Sequence, residues 1–389
     1  MKNNKKTKIA FLSTYPPREC GLATFTQDLV TAIDGSGEMD TKVIAVTNPG
    51  NEVYDSKVIS KIAQHEQADY IKMARELNNS DIDLLVIEHE YGIFGGEHGA
   101  YILDLINNLE IPLVTTFHTI LSKPDPKQQS IINELGKKSE KVITMARNTK
   151  PLLKSVYGID PEKIEVIHHG VPKRPFQSRE SMKKKYRYEN RQIISTFGLI
   201  GPSKGIEHGI EAISKVAMDH KEVRYLILGQ THPALKDEGI AYRNKLEALV
   251  ENLDLSDHVE FINKYLSKEE LIEYLQLSDI YMTPYLGKDQ AVSGTMAYAV
   301  GYGKAIVSTP YMYAKEMLSG GRGFLAEFSN SDSLAECIKN IIKNPNIKAK
   351  MERDTMKLGR TMYWDKIAQR YLEVFFNITK STPKIEVAS

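Results

Sequence analysis

Residues 281–310 contain, in order, a strand, a polar loop, a short helix and a second strand, with the sequence YMTPYLGKDQAVSGTMAYAVGYGKAIVSTP. Ser293 is a good N-cap for a helix that begins near Gly294, and Gly303 is a suitable C-terminal stop. The first turn of a helix presents unpaired N–H groups and the positive end of the helix dipole. Ser293, Gly294 and Thr295 are therefore a candidate anion site, most simply for phosphate. An ordinary capped helix in an α/β domain explains the same residues equally well.

Short apolar segments alternate with amphipathic segments along the whole chain, which predicts parallel sheets with helices on both faces. The predicted strands are residues 9–14, 42–47, 84–88, 113–117, 141–145 and 164–167, and then 193–197, 224–228, 259–262, 280–283 and 305–308, with 324–326 as a short sixth. Residues 173–190 are highly charged and lack apolar periodicity, so we interpret them as a linker. We expect two α/β domains, residues 1–175 and 191–361, and an amphipathic helix over residues 362–380.

Composition excludes several classes of protein. The 389 residues are 41% apolar, and 51 Lys and Arg nearly balance 50 Asp and Glu, so no overall field favours nucleic acid. Two cysteines, Cys20 and Cys337, are too few for a disulfide framework. The apolar run at residues 9–12 is shorter than a signal-peptide core or a membrane span. We therefore expect a globular cytoplasmic protein with no nucleic-acid partner and no integral membrane segment.

Polar loops follow the predicted strands of the first domain. Gly21 opens a helix after the first strand, a geometry that suits phosphate, although no GxGxxG fingerprint is present. The loop HEYGIFGGEHG after the third strand contributes His89, Glu90, Gly95 and Gly96 as candidate cleft residues. Its histidines and carboxylates also permit a metal site, but they lack the ligand spacing of one, and we expect no bound metal.

Lys204 lies between a predicted strand end and a helix start, in the sequence FGLIGPSKG. A lysine in this position can meet a phosphate as a point charge while backbone N–H groups hold the oxygens, although a lysine in a turn is more often simply solvated. Ser293, Gly294 and Thr295 follow another strand of the same domain. Two anion sites at one sheet edge suggest a diphosphate ligand.

Taken together, these motifs resemble the family 4 glycosyltransferases of the GT-B fold, and the resemblance covers nearly the whole chain. The matching features are the glycine loop after the first strand, His118 at the end of a later strand, VIHHGV, FGLIGPSKG, LILG ending at Gly229, SDIYMTP, GKAIVSTP and the tryptophan-led final helix. The segments TYPPRECGLATFT and EHEYGIFGGE are similar to a bacterial subgroup of that family. The resemblance implies two Rossmann-like domains that face a cleft, with the final helix crossing back to the first domain.

The resemblance also implies roles for individual residues. The donor diphosphate is expected at Gly21, Gly198, Lys204, Gly205, Gly229, Ser293, Gly294, Thr295 and Tyr298, and His118 is expected in the acceptor cleft. Leu199 stands where the family has an arginine, and Gln290 and Tyr298 stand where it has two glutamates. Gln290 can still hydrogen-bond a sugar hydroxyl, but Tyr298 cannot grip two ribose hydroxyls as a carboxylate does.

The implied activity is a retaining transfer of mannose or glucose from a GDP- or UDP-sugar to a carbohydrate acceptor, with no cofactor. The candidate catalytic residues are His118, Lys204 and Gln290, and we expect the sugar between His118 and Gln290 across the interdomain cleft. A glycoside phosphorylase that uses phosphate or a sugar 1-phosphate is the first alternative. A non-catalytic protein that binds a sugar or a nucleotide is the second.

Overall fold

The computed structural model describes residues 6–48, 52–231 and 235–381, and the chain divides into two compact units. Unit 1 is assigned Met1–Pro172 and Tyr363–Ser389, and unit 2 is assigned Lys173–Met362. Each unit has one parallel sheet covered by helices. The α/β class predicted from the alternating segments is therefore confirmed.

The sheet of unit 1 has seven strands in the order β3-β2-β1-β4-β5-β6-β7. These strands are β1 Lys8–Ser13, β2 Asp40–Thr47, β3 Val58–Ala63, β4 Leu84–His89, β5 Leu113–Phe117, β6 Lys141–Thr144 and β7 Ile164–Val166. The helices are α1 Gly21–Ser36, α2 Gln67–Asn78, α3 Ile102–Asn107, α4 Pro126–Lys138 and α5 Lys150–Ser155, together with the last helix of the chain, α14 Trp364–Ser381. All strand pairs are parallel.

Strand β3 is absent from the sequence prediction. It is an edge strand in which Ile59 and Lys61 are exposed and only Ile62 is fully buried. Because the segment VISKIA carries charged and polar residues among its apolar ones, it lacks the continuous apolar run that marks the central strands of a parallel sheet.

The sheet of unit 2 has six strands in the order β10-β9-β8-β11-β12-β13, again all parallel. These strands are β8 Gln192–Phe197, β9 Val223–Leu228, β10 Val259–Ile262, β11 Ile280–Thr283, β12 Ala305–Ser308 and β13 Phe324–Leu325. The helices are α6 Arg179–Lys185, α7 Ile206–Ala217, α8 Lys236–Asn252, α9 Lys268–Leu277, α10 Gly294–Gly301, α11 Met312–Met317, α12 Ser331–Lys343 and α13 Pro345–Gly359.

Residues 173–190, interpreted from the sequence as a linker, contain a helix that the sequence analysis did not predict, α6. The Oγ of Ser178 caps the helix by accepting a hydrogen bond from the N–H of Ser181 at 3.1 Å. Met182 is buried, and Arg179 and Lys183 pair with Asp279 at 3.4 and 2.6 Å. This two-turn segment has a single apolar residue, Met182, and ion pairs to Asp279, so it shows no apolar periodicity that would predict a helix.

Helix α14 belongs to unit 1, where it packs against α1. The face predicted from the spacing of its apolar residues is buried, namely Trp364, Ile367, Tyr371 and Val374. Phe375 extends this face and has no exposed surface, and its ring centroid lies 6.2 Å from that of Phe11 on β1. The last helix therefore completes the core of the first unit.

Strand order reverses direction at β1 and β4 in unit 1 and at β8 and β11 in unit 2. In open parallel sheets, ligands bind outside the carboxyl ends of the strands at such a switch point. The loops that follow these four strands are therefore the expected ligand-binding loops of each unit.

Candidate functional site

In unit 2, the loop after β8 and the loop after β11 are tied together. The N–H of Leu286 donates to the backbone oxygen of Ser203 at 3.0 Å. Gly205 has a φ of 57°, and a Cβ at this position would stand 2.4 Å from the backbone oxygen of Pro284. Only glycine satisfies both conditions, which fixes the end of the turn that carries Lys204.

The structure brings Lys204 close to the start of α10. Its Nζ lies 3.9 Å from the ring centroid of Tyr285, and the hydroxyl of Tyr285 lies 3.1 Å from Oγ1 of Thr295. Tyr285 is 1% exposed, so its ring is a fixed platform beneath the ammonium group. Tyr285 was not among the sequence-predicted site residues, because a tyrosine after a strand carries no phosphate-binding signature.

The start of α10 has the geometry predicted for it. The Oγ of Ser293 accepts a hydrogen bond from the N–H of Met296 at 3.3 Å and lies 3.1 Å from Oγ1 of Thr295. As the first residues of the helix, Gly294 and Thr295 have N–H groups with no partner inside the helix. Lys204 and these N–H groups are thus two sources of positive potential on one side of unit 2.

Gly198 and Gly229 lie where the loops after β8 and β9 meet. A Cβ at Gly229 would stand 2.0 Å from the backbone oxygen of Gly198, and the φ angles of 138° and 133° are open only to glycine. A Cβ at Gly198 would also meet the methyl group of Thr295 at 3.5 Å. The predicted glycines therefore join the same cluster as Lys204 and α10.

Gln290 and Tyr298 have contacts within unit 2 itself. The Nε2 of Gln290 donates to the backbone oxygen of Val292 at 3.0 Å, so the amide stabilises its own loop. Tyr298 lies in the second turn of α10 and is only 8% exposed. The position expected to contact a ribose is thus largely covered by its own unit.

In unit 1, His118 follows β5 and pairs with a buried carboxylate on the neighbouring strand. Its Nε2 lies 2.8 Å from Oε2 of Glu88, which has no exposed surface. The ring of Phe25 packs edge-on against His118, with centroids 4.8 Å apart. Sequence reasoning placed Glu88 in a strand without assigning it a role. The available signal was a charged residue directly after the apolar run LLVI, within the same predicted strand.

The remaining predicted residues of unit 1 shape the loops around this pair. Gly21 is the first residue of α1, and among the described residues no atom outside its chain neighbours and the backbone of its own helix lies within 4 Å of where a Cβ would stand. Glu90 accepts hydrogen bonds from the N–H of Tyr91 at 3.0 Å and from Oγ1 of Thr119 at 2.6 Å. Gly95 and Gly96 pack against the ring of Tyr101. Their roles in this structure are contacts within the loop.

The structure places His89 in the core, whereas the sequence analysis placed it on the surface of a cleft. The ring is fully buried, and it packs against Tyr91, Phe94 and Phe117 with centroid distances of 5.1, 5.9 and 5.6 Å. Neither ring nitrogen has a hydrogen-bond partner among the residues that the structure describes. Burial, with a smaller contribution from His118, lowers the pKa of His89 to about 3.

Exchange of His89 for an apolar residue should make folding less sensitive to acid. The folded-state pKa of about 3 lies below the ordinary value of 6.5, so the unfolded chain binds a proton first as the pH falls. The stabilising contribution of neutral His89 is therefore fully present above about pH 6.5 and is lost as the pH falls below it. From this residue alone, the free energy of unfolding should decrease by roughly 1 kcal/mol between pH 7.0 and 5.5. Urea unfolding of the parent and of His89→Leu at both pH values measures the difference. Identical pH dependence would place the His89 ring in contact with water.

Residues 6–48, 52–231 and 235–381 contain no group of three or more His, Cys, Asp or Glu side chains arranged to hold a metal ion. Within the same part of the chain, no helix combines the length and the apolar character needed to cross a membrane.

Two family models match consecutive parts of the chain. The model for glycosyltransferase family 4 matches residues 21–174, and the model for glycosyl transferases group 1 matches residues 177–358. The first match lies almost entirely within unit 1, and the second lies within unit 2.

Two similar proteins illustrate the range of relatives. An uncharacterized glycosyltransferase of Methanocaldococcus jannaschii, MJ1069, is 25% identical over 246 residues, which are 61% of this chain and 59% of that protein. A D-inositol 3-phosphate glycosyltransferase of a Nocardioides species is 19% identical over 310 residues, which are 74% of this chain and 66% of the relative. The chain thus spans less than two thirds of the length of either protein.

A solved structure with the same architecture is that of Anabaena Alr3699/HepE in complex with UDP and glucose. It aligns with 95% of this chain and 100% of its own, with a TM-score of 0.76 and 16% identity. At this identity the likeness concerns the fold, and it supports the GT-B fold with two Rossmann-like domains expected from the sequence.

Proposed function

We propose that this chain, a GT-B glycosyltransferase of the group 1 and family 4 kind, moves a hexose from a nucleotide sugar to a carbohydrate acceptor with retention of configuration. The observation that carries the proposal is the cluster at the switch point of unit 2. Lys204 is held over Tyr285, and Tyr285 contacts Thr295 at the start of α10. One cation and one helix N-terminus in a single cluster suit the two phosphates of a leaving nucleoside diphosphate.

The chemistry of this cluster needs no bound metal in the proposal. As the sugar leaves, charge develops on the diphosphate oxygens, and groups that are already in place stabilise it without reorganisation. The ammonium of Lys204 supplies a full charge, and the N–H groups of Gly294 and Thr295 supply the helix dipole. The retaining, front-face route is part of the proposal because of the resemblance to the family 4 glycosyltransferases.

The donor is a GDP- or UDP-hexose in this proposal, with mannose or glucose as the sugar. The Anabaena protein whose structure holds UDP and glucose favours UDP as the first nucleotide to test. In this proposal His118 of unit 1 hydrogen-bonds a sugar hydroxyl. Gln290 is the weaker candidate for such a contact, because its amide already stabilises its own loop. The proposed reaction takes place in the cytoplasm.

A donor screen tests the proposal. The protein is incubated with UDP-glucose, UDP-N-acetylglucosamine, GDP-mannose and ADP-glucose, each with a panel of mono- and disaccharide acceptors and each with and without a chelator. We expect acceptor-dependent release of one nucleoside diphosphate, no loss of rate on chelation, and a product whose anomeric proton shows the donor's configuration. An inverted product contradicts retention, and loss of activity that a divalent ion restores contradicts the metal-independent route.

A further inference from the structure

Glu88 is the penultimate residue of strand β4, and its side chain has no exposed surface. A buried charge is costly unless it is paired and hydrogen-bonded. Its Oε2 lies 2.8 Å from Nε2 of His118, and its Oε1 accepts a hydrogen bond from Oγ1 of Thr116 at 3.4 Å. In the part of the chain that the structure describes, His118 is the basic side chain that contacts the Glu88 carboxylate.

The two ring nitrogens of His118 have different surroundings. Nε2 faces Glu88, which as a carboxylate offers only acceptor atoms, so Nε2 must carry a proton. Nδ1 has no partner among the described residues, and it is not among their buried polar atoms that lack one, so it reaches the surface of unit 1. A neutral imidazole has one donor and one acceptor nitrogen, so in the neutral ring with Nε2 protonated, Nδ1 is the acceptor.

The neighbouring titratable groups do not compete for this proton. Burial lowers the pKa of His89 to about 3 and that of His169 to about 4, so both rings are neutral near pH 7. Burial, with a contribution from the Glu88 carboxylate, raises the pKa of Tyr371 on α14, which therefore remains a phenol. The carboxylate of Glu90 accepts hydrogen bonds from Tyr91 and Thr119 instead.

We propose that Glu88 is a positioning residue that holds His118 in the tautomer with Nε2 protonated, and thereby presents Nδ1 as an acceptor to a hydroxyl group of the carbohydrate substrate. This assignment rests on the proposed function, since a carbohydrate supplies the hydroxyl donor. The buried partner orients the imidazole in the same way that an outer partner orients a metal-bound histidine, where removal costs roughly 10–100-fold in affinity or activity. Without Glu88, either nitrogen can hold the proton, and the ring is free to turn.

The tautomer itself is measurable without any assay of activity. The protein is labelled with 15N at histidine only, and the His118 signals are assigned by their loss in His118→Gln. The parent should show a protonated Nε2 and a bare Nδ1. Glu88→Met, which keeps much of the volume but removes the acceptor, should show both tautomers. Glu88→Gln retains a carbonyl oxygen that can accept from Nε2, so it should keep the fold and a larger share of the original tautomer.

Kinetics provide the second readout. In Glu88→Met, kcat/KM for the acceptor should fall about 10–100-fold, with Glu88→Gln less affected. The rise in melting temperature caused by a nucleoside diphosphate should be unchanged, because Lys204 and α10 belong to unit 2.

Either of two results overturns the proposal: a parent in which Nδ1 carries the proton, or a folded Glu88→Met with the parent's tautomer and acceptor kinetics. If Glu88→Met does not fold, the parent spectrum and Glu88→Gln carry the same test. Failure of the proposed function looks different, since no nucleoside diphosphate then stabilises the parent, whatever the tautomer of His118.

Discussion

Replacement of Lys204 by alanine is expected to lower kcat/KM by at least ~100-fold, or about 2.7 kcal/mol of transition-state stabilisation. The reason is its position: the ammonium lies over the ring of Tyr285, which in turn contacts Thr295 at the start of α10. The folded protein loses one cation–π contact, worth about 1 kcal/mol, so the variant should remain folded. Steady-state kinetics and urea unfolding of the same preparation separate the two effects.

Lys215 provides a matched control on the helix that follows Lys204. Its Nζ pairs with Asp332 at 2.5 Å on the surface of unit 2, away from the carboxyl ends of the strands. Lys215→Ala removes the same charge and the same side-chain length, yet turnover should be close to that of the parent, with a stability change below about 1 kcal/mol. Near-normal turnover in folded Lys204→Ala, or an equal loss in both variants, would remove Lys204 from the mechanism.

Replacement of Phe375 by alanine should lower the free energy of unfolding by about 3–5 kcal/mol, the usual cost of removing a buried phenylalanine. Phe375 has no exposed surface, and its ring contacts Phe11 on β1 and Tyr371 on α14. Loss of the ring leaves a cavity between the last helix and the sheet of unit 1. Equilibrium unfolding in urea measures the change.

The adjacent residue is the control for this prediction. Phe376 is only partly buried, and Lys380 lies over its ring at 5.3 Å from the centroid. Phe376→Ala should therefore lower the free energy of unfolding by only about 1 kcal/mol. The Phe376 ring buries less apolar surface than that of Phe375, and its removal leaves no closed cavity. Equal losses in the two variants would mean that α14 does not pack on the sheet of unit 1 through Phe375.

The sequence predicted the two parallel sheets and the candidate phosphate loops because their signals are local. Apolar runs that end in glycine or a polar residue mark strand ends, and Ser293 before a helical segment marks an N-cap. The cluster of Gly198, Lys204 and Thr295 could be inferred because all three follow strands of one parallel sheet, whose carboxyl ends share an edge.

The roles of Glu88, His89 and Tyr285 could not be predicted in the same way. Glu88 and His89 are adjacent in β4, so their side chains point to opposite faces of the sheet. The sequence does not indicate which of the two side chains contacts His118 and which packs against the aromatic rings. Both faces of a parallel sheet are buried, which removes the usual inside–outside contrast. Tyr285 supports Lys204 through a contact between two loops, which only the folded sheet brings together.

The most direct test of the donor site is a melting series of the parent and of Lys204→Ala with millimolar UDP, GDP, ADP, inorganic phosphate and hexose 1-phosphates. A ligand at ~100 times its dissociation constant stabilises the folded state by about 2.7 kcal/mol, which raises the melting temperature by several degrees. We expect UDP or GDP to raise the melting temperature of the parent, and the rise to be largely lost in Lys204→Ala. If no nucleotide changes the melting temperature while phosphate or a hexose 1-phosphate raises it, the transferase account is wrong and a phosphorylase replaces it.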